Sequence, residues 1–409
     1  MLIDSLLYDA CSQSTKSLNQ IAVNVDKNFN VDITKQGVSQ RFTAGTVKYI
    51  QTLIGNLMSV QITRSIDIGW FKYFNRVLIK DSTKFDVSEN MAKQLPGFGG
   101  NASEAGVSIQ YEFDIKAGET TDLNITPANR PDARDTSETL HKVRQGDLII
   151  RDLGYSSLVF FAAIHKIGAY FIARLNASAN VYELKQNKFI ELDFEQIYKL
   201  MKKGKIQRIE KNVYIGKKDK LPVRIIIELI PEEVVNKRLR KVNNENKKNG
   251  HNTSDKYKSR NKFNIFITNV EDNKLETDVI VKIYKIRWQV ELIFKAWKSI
   301  FGIDNNNKMK YERFICLLNV RLILILINWD MFMQKRQQLY MQTKKLLSVN
   351  KCFKTMQDNS PELSQILTNN CKGLINWLKD ITQLFEKHHW LEKKKDKLGL
   401  AEIMTLNVL

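Results

Sequence analysis

The sequence predicts an α/β fold in which a mixed sheet carries inserted strands and helical regions precede and follow it. Three patterns support this class: helical apolar spacing near the N-terminus, strand-like runs alternating with helical segments in the middle, and helical spacing again at the C-terminus. The expected regions are residues 1–70 (helical), 71–176 (first part of the sheet domain), 177–262 (β-rich insertion with a basic arm), 263–305 (end of the sheet domain) and 306–409 (C-terminal helices).

The composition indicates a folded and strongly basic protein. Of 409 residues 43% are apolar, and 64 Lys and Arg residues against 44 Asp and Glu residues give a formal charge of +20. This excess favours a polyanionic partner, because phosphate contacts release counterions, although charge alone does not separate nucleic acid from an anionic membrane. The most apolar run, Phe314–Ile327, is short and contains Asn319 and Arg321, so we interpret it as a buried core helix. We therefore expect no membrane insertion and a cytoplasmic location.

The N-terminal region has the pattern of a helix-turn-helix. Apolar spacing from Leu18 to Val25 predicts one helix, and Thr34 is a suitable N-cap for a second helix extending to Ile50. The second helix exposes polar side chains that suit DNA, namely those of Lys35, Gln36, Ser39, Gln40 and Arg41. An ordinary helical bundle explains the same spacing, so both interpretations stay open.

Two carboxylates directly follow short apolar runs. Arg76–Lys80 leads to Asp81, and Asp147–Arg151 leads to Asp152. An alternating stretch between them, residues 107–126, predicts a hairpin beside the first strand. A carboxylate at the end of a central strand is held in place without being buried in the core.

The predicted insertion ends in a basic arm. Residues 232–262 contain 10 Lys or Arg residues against 4 Asp or Glu residues. This segment is either a DNA-facing arm or a solvated loop.

A helix predicted from Thr277 to about Phe301 supplies a third carboxylate. At 100° per residue, one polar stripe holds Tyr284, Arg287, Glu291 and Lys298. The other side is apolar and comprises Ile283, Ile286, Val290, Ile293, Phe294 and Trp297. An i, i+4 salt bridge between Arg287 and Glu291 explains the stripe equally well when it is taken alone.

Three carboxylates in one place would repel each other unless cations neutralised them. Two divalent ions would do so and would also activate a phosphate for cleavage. Oxygen ligands and phosphate chemistry favour Mg²⁺ or Mn²⁺.

The spacing of Tyr284, Arg287, Glu291 and Lys298 resembles the Tyr-Arg-Glu-Lys signature of bacterial insertion-sequence transposases of the DDE class. Further segments that resemble this family, in the order it requires, are Ile79–Thr83, Leu148–Tyr155, Gly168–Leu175, Val235–Lys241 and Ile267–Asn269. The resemblance extends from about residue 18 to 330.

This resemblance implies a ribonuclease-H-like catalytic core with a β insertion before the helix that carries Glu291. It implies that Asp81, Asp152 and Glu291 bind two Mg²⁺ or Mn²⁺ ions. The DNA contacts that we expect are made by Tyr284, Arg287, Trp288, Lys298, Arg238, Lys35, Gln40 and Arg41. Trp288 in particular would stack on a displaced base. Leu153 stands where some relatives carry Arg, which puts one local phosphate contact in doubt.

The resemblance also implies an activity and a set of partners. A homodimer would bind the terminal inverted repeats of an insertion sequence, cut the strands and join them to target DNA, in association with the bacterial nucleoid. A nuclease on the same fold that cuts without joining is one alternative. A non-catalytic DNA-binding regulator is another, but it leaves the three carboxylates unexplained.

Overall fold

A computed structural model describes residues 2–10, 15–61, 69–100, 102–155, 157–176, 178–249, 254–368, 371–392 and 400–404. The chain divides into two compact units. Unit 1 comprises Met1–Asp67, Lys80–Arg130 and Trp288–Ile403, and unit 2 comprises Ile68–Ile79, Pro131–Arg287 and Met404–Leu409. The cysteine Cys11 and residues 393–397 of the lysine-rich stretch Glu392–Lys397 lie outside the described residues.

The described strands form one mixed sheet in the order β3-β2-β1-β4-β5-β10-β9-β8-β6-β7. Their bounds are β1 Val77–Asp86, β2 Gly106–Asp114, β3 Thr120–Pro127, β4 Leu148–Arg151, β5 Tyr170–Arg174, β6 Val181–Lys185, β7 Lys188–Glu191, β8 Arg208–Ile215, β9 Leu221–Leu229 and β10 Phe263–Thr268. Strands β4 and β5 are parallel, whereas β10 is antiparallel to both β5 and β9. The predicted α/β class with a mixed sheet is confirmed.

Helices precede and follow the strands, as predicted. Those whose residues lie mainly in unit 1 are α1 Leu2–Ala10, α2 Leu18–Phe29, α3 Lys35–Gln40, α4 Ala44–Ser59, α11 Trp288–Ser299, α12 Tyr311–Thr343, α13 Val349–Asp358, α14 Ser360–Thr368, α15 Leu374–His388 and α16 Leu400–Met404. Those of unit 2 are α5 Asp132–Thr139, α6 Leu158–Ile167, α7 Phe194–Lys203, α8 Glu232–Asn249, α9 Asp255–Arg260 and α10 Thr277–Tyr284.

Helix α12 is the long core helix of unit 1. By length and composition it could cross a membrane, but 78% of its most apolar window is buried inside the protein. Its Trp329 packs edge-on against Phe113 of β2 and donates a hydrogen bond of 2.8 Å to the carbonyl of Gly118. The prediction that Phe314–Ile327 belongs to a buried core helix is therefore confirmed.

The predicted insertion extends the sheet of unit 2. Strand β9 pairs along its length with β8 on one side and with β10 on the other. Helices α6 and α7 contribute to an apolar core with alternate residues of these strands, and Phe161 of α6 stacks on Phe171 of β5 at 4.5 Å. The extension is therefore continuous with the strands that carry the candidate site.

The second N-terminal helix, predicted from Thr34 to Ile50, is in fact two helices. Thr34 caps α3, and its hydroxyl accepts a hydrogen bond from the amide of Gly37, as predicted. However, Thr43 caps a new helix, α4, through the amide of Thr46. The apolar spacing continues across this break, so periodicity alone could not reveal it.

Two further element boundaries differ from the predictions. Asp81 is the fifth residue of the ten-residue strand β1 and does not follow it, because backbone pairing continues where the apolar run ends. The helix predicted from Thr277 to Phe301 is interrupted by a 3₁₀ turn at Lys285–Arg287. A uniform 100° rotation per residue therefore does not hold across this turn, because a 3₁₀ turn is more tightly wound.

Candidate active site

Asp152 lies at the carboxyl end of a buried strand, as predicted. All four residues of β4 are buried, and Asp152 follows directly with a side chain that is 41% exposed. Its Oδ1 accepts a hydrogen bond of 3.2 Å from the hydroxyl of Tyr284 and lies 3.9 Å from Nε of Arg287. Unit 2 therefore brings together three of the predicted site residues.

Tyr284 is placed by packing. It is buried at the end of α10, and its ring lies edge-on to Phe266 of β10, at 5.2 Å between ring centres. Burial raises the pKa of the Tyr284 hydroxyl, and the negative charge of Asp152 raises it further. The hydroxyl therefore stays protonated at neutral pH and donates to Asp152.

Arg174 belongs to this group, although the sequence analysis assigned it no role. It pairs with Phe266 in the register of β5 and β10, so both side chains lie on the same sheet face. Tyr284 packs on Phe266, and the positive charge of Arg174 offsets part of the rise in the pKa of Tyr284. Alternation along β5 could have indicated this face, but only the pairing with β10 identifies the neighbours.

The other two carboxylates lie in unit 1. Glu291 is half-buried in α11, and Asp81 of β1 accepts a hydrogen bond of 2.8 Å from the amide of Ser82. The ammonium of Lys298 donates a hydrogen bond of 2.9 Å to the carbonyl of Lys84 and so joins α11 to β1. Lys298 was predicted to contact DNA phosphates, and here it ties together the elements that carry Glu291 and Asp81.

The buried side of the Glu291 helix is confirmed. All six apolar side chains predicted to face inward are buried, and Trp297 packs edge-on against Tyr111 of β2 at 4.8 Å. By contrast, the side chain of Trp288 is 52% exposed, and Nζ of Lys295 lies 6.0 Å from its ring centre. An exposed indole beside a cation is suited to stacking on a base.

In the part of the chain that the structure describes, no three side chains of His, Cys, Asp or Glu form a group that could hold a metal ion. Assignment of Asp81, Asp152 and Glu291 as a common ligand set therefore stays a prediction.

The predicted N-terminal DNA contacts are on the surface. Lys35, Gln40 and Arg41 are all exposed, at the two ends of α3. The guanidinium of Arg41 donates a hydrogen bond of 2.8 Å to the carbonyl of Gly37 in its own helix. Their accessibility agrees with either a DNA-reading helix or a solvated bundle, so the DNA contacts remain a prediction.

Arg238 anchors the basic helix α8. Its guanidinium donates hydrogen bonds of 2.8 Å to the side-chain oxygen of Asn264 and 3.1 Å to the carbonyl of Phe263. Burial lowers the pKa of Arg238, and the nearby charge of Arg174 lowers it further. Three other cations of α8 are exposed, namely Lys237, Arg240 and Lys241. The sequence alone did not distinguish these exposed cations from the anchoring Arg238.

The carboxylate after a central strand and the helical Tyr284 and Arg287 beside it are features of one class of DNA-processing enzyme. A family model for the transposase DDE domain matches residues 72–327. The chain therefore belongs to the family of DDE transposases.

Individual relatives narrow this class. The transposase for insertion sequence element IS231B of Bacillus thuringiensis subsp. berliner is 31% identical over an alignment of 387 positions that covers 91% of this chain and 81% of the relative. That for IS231E of Bacillus thuringiensis subsp. finitimus is 32% identical over 390 residues, covering 90% and 81%. That for IS1151 of Clostridium perfringens is 27% identical over 408 residues, covering 96% and 86%. This chain is thus a DNA transposase of the bacterial insertion-sequence type, an enzyme class that uses divalent metal ions.

Proposed function

We propose that this transposase catalyses strand cleavage and strand transfer at the ends of an insertion sequence, as a member of the branch with the Tyr-Arg-Glu-Lys signature. The observation that carries the proposal is the environment of Asp152. A partly exposed carboxylate stands at a strand end, with the Tyr284 hydroxyl on one oxygen and Arg287 beside it. A carboxylate held in this way can bind a metal ion, and the guanidinium beside it can contact a phosphate that reaches the same site.

The proposed ligands of two Mg²⁺ or Mn²⁺ ions are Asp81, Asp152 and Glu291. Three carboxylates provide the hard oxygen atoms that these ions prefer. When bound, such ions polarise the phosphate and lower the pKa of a water molecule. The chain itself contributes orientation: Tyr284 holds one oxygen of Asp152, and Lys298 fixes α11 on β1.

The proposed substrates are the terminal inverted repeats and the target DNA, bound by a homodimer associated with the nucleoid. Arg287, Lys298 and Trp288 would contact the DNA near the cut. Lys35, Gln40 and Arg41 would contact the repeat, and α8 with Arg238 would follow the backbone. The formal charge of +20 supports DNA as the partner, because DNA is a polyanion.

The proposal is tested with a plasmid that carries the element's ends and with Mg²⁺ present. We expect Asp81→Asn, Asp152→Asn and Glu291→Gln each to reduce cleavage by at least about a hundredfold, since removal of a metal ligand costs several kcal/mol. Binding of the ends, measured without metal, should stay within about twofold of wild type if only the chemistry is impaired.

Asp272→Asn is the matched control. Asp272 accepts a hydrogen bond from the amide of the next residue at 2.9 Å, as Asp81 does at 2.8 Å, but it is not a proposed ligand. Wild-type nicking by any one of the three variants would remove that residue from the site. Cleavage without joined products in the wild type would instead favour a nuclease that does not transfer strands.

A further inference from the structure

The sheet face that carries the candidate site continues into the extension. Phe266, which packs against Tyr284, pairs with Ile226, and Ile226 pairs with Glu210 of β8. Side chains two and four residues apart on a strand share a face, so Tyr214 lies on the same face as Glu210. Tyr214 pairs in turn with Tyr182 of β6.

This face ends in a cluster of aromatic rings around one ammonium group. Leu184, two residues from Tyr182, pairs with Phe189 of β7, so Phe189 also lies on this face. Phe189 contacts Tyr214 edge-on at 5.0 Å between ring centres. Nζ of Lys220 lies 3.1 Å from the ring centre of Tyr182 and 5.2 Å from that of Phe189. We call the side chains of Tyr182, Phe189, Tyr214 and Lys220 the aromatic platform.

The aromatic platform is accessible. Phe189 is 45% exposed and its neighbour Leu184 is 47% exposed, whereas the alternate residues of β6 and β8, such as Val181 and Val213, are buried in the core. In a sheet with one face on the core, the other face is expected to be polar. An exposed Phe189 with the half-buried Tyr182 and Tyr214 on that face therefore favours a ligand with its own flat rings.

The backbone holds the platform in a defined shape. Gln186 and Asn187 both have positive φ, of 48° and 59°, as in a two-residue turn between β6 and β7. Lys220 also has a positive φ of 46°, in the turn that leads into β9. A lysine rarely adopts this backbone conformation. In the same residue the ammonium group lies over the ring of Tyr182.

The charge around the platform is positive. Residues 181–192 and 208–222 together contain 7 Lys or Arg residues against 4 Asp or Glu residues. One of these acids, Glu183, is already paired with Lys185 at 2.8 Å and Lys211 at 2.6 Å. The surroundings therefore complement an anionic ligand.

We propose that the aromatic platform binds single-stranded DNA by stacking unpaired bases on Tyr182, Phe189 and Tyr214, while Lys220 contacts the backbone. The proposal rests on the transposase function above, since bases beside a cut strand end can unpair. Base faces are accessible only when the duplex is open, and stacking on aromatic side chains is the common mode of sequence-tolerant single-strand binding. The platform lies on the sheet face that carries Phe266, against which Tyr284 packs.

The test measures binding of the full chain to a fluorescein-labelled thymidine 12-mer and to a 12-base-pair duplex, by anisotropy in EDTA. We expect the double variant Tyr182→Leu/Phe189→Leu to bind the single strand at least about tenfold more weakly. Each base stacked on an aromatic ring contributes to the free energy of binding, and the variant removes two of the rings. Duplex affinity should change by less than about twofold, since the net charge is unaltered. Quenching of 2-aminopurine placed in the single strand should also disappear.

Leu200→Ala is the matched control, because Leu200 is a 61% exposed apolar residue on α7 and outside the platform. If the double variant does not fold, the single variant Phe189→Leu is used in the same binding measurements. Unchanged single-strand binding, absent binding by the wild type, or equal weakening on both DNAs would each overturn the proposal. Because no metal is present, these outcomes are independent of whether the carboxylate variants cleave DNA.

Discussion

Two helices of unit 2 carry predicted DNA contacts, and they are held in different ways. The polar residues of α10 and the turn after it are fixed by burial, since Tyr284 packs on Phe266 and the Arg287 side chain is only 14% exposed. Helix α8 is attached through Arg238, and Lys237, Arg240 and Lys241 are exposed beside it. Chemistry at one phosphate requires fixed groups, whereas long cations on a surface can adapt to a DNA backbone.

The start of α10 is fixed by an ion pair between the buried Arg224 and the partly buried Glu210. The guanidinium of Arg224 is bound to both oxygens of Glu210, at 2.6 and 3.1 Å, and to the carbonyls of Val270 and Leu275, at 2.8 and 2.9 Å. The hydroxyl of Thr277, the first residue of α10, also donates to Glu210. This network links strands β8 and β9 to the helix that positions Tyr284.

The largest effect is therefore expected for Arg224→Leu. It removes the Arg224 guanidinium from Glu210 and leaves the carbonyls of Val270 and Leu275 without this donor, which should reduce the free energy of unfolding by about 2 kcal/mol. Urea denaturation measures this decrease. The matched control is Arg134→Leu in the exposed Arg134–Glu138 pair, with side chains 71% and 50% exposed, where less than about 0.5 kcal/mol is expected. Similar decreases in the free energy of unfolding of both variants would show that the Arg224 network does not hold α10 more firmly than a surface ion pair would.

The same network predicts a pH dependence. Burial alone would raise the pKa of Glu210, but hydrogen bonds from Arg224 and Thr277 lower it below the ordinary value of 4.5. A carboxyl group with a lowered pKa in the folded state stabilises the protein above its unfolded pKa. This contribution disappears as the pH falls below 4.5. The difference in stability between wild type and Arg224→Leu should accordingly narrow in acid.

An intermediate effect is expected when the exposed cations of α8 are removed. The triple variant Lys237→Gln/Arg240→Gln/Lys241→Gln should bind duplex DNA about tenfold more weakly at low salt. The slope of log affinity against log salt should become shallower by about one for each phosphate that is no longer bound. Thermal stability should be unchanged because these side chains are exposed.

The control for α8 carries the same change of charge at Lys199, Lys202 and Lys203, which are exposed on α7. If both triple variants weaken binding equally, the effect belongs to total charge and not to α8. The proposed contrast between a fixed helix α10 and a DNA-binding helix α8 would then not hold for α8.

The smallest effect is expected for Tyr284→Phe. The ring and its packing against Phe266 are kept, and only the hydrogen bond of 3.2 Å to Asp152 is removed. Cleavage should fall by about fivefold, and stability by about 1 kcal/mol or less.

Tyr111→Phe is the comparison, since Tyr111 is also buried, with its hydroxyl 3.4 Å from that of Thr120. It should change stability by a similar amount and leave cleavage intact. Equal cleavage by wild type and Tyr284→Phe would mean that Asp152 does not depend on this hydroxyl for its orientation.

Features that depend on local periodicity were predicted well. The capping of α3 by Thr34, the β2–β3 hairpin and the placement of Asp152 after β4 all depend on residues that are near one another in the chain. The apolar side of α11 was equally predictable, because burial of one helix side follows from the spacing of its residues. The Tyr-Arg-Glu-Lys spacing led to the family in the same way.

Some helix boundaries, and the roles of side chains whose partners are distant in the sequence, were not predicted. The 3₁₀ turn at Lys285–Arg287 and the split at Thr43 interrupt patterns that stay apolar throughout. The roles of Arg238 as an anchor and Lys298 as a tie to β1 depend on Asn264 and Lys84, which are far away in the sequence. The same basic residue types serve as anchors and as exposed cations, so composition cannot separate them.

By itself, the sequence determined the α/β class, the basic character and the family, and it supplied the residues that we propose for a DNA-cleaving site. These features follow from the side-chain pattern along each segment and from total charge. Only the tertiary structure decided that Arg174 pairs with Phe266, on which Tyr284 packs, and that Tyr182, Phe189 and Tyr214 share one sheet face. The physical reason is strand pairing: neighbours across a sheet are set by register between segments, and no local pattern records which strands will meet.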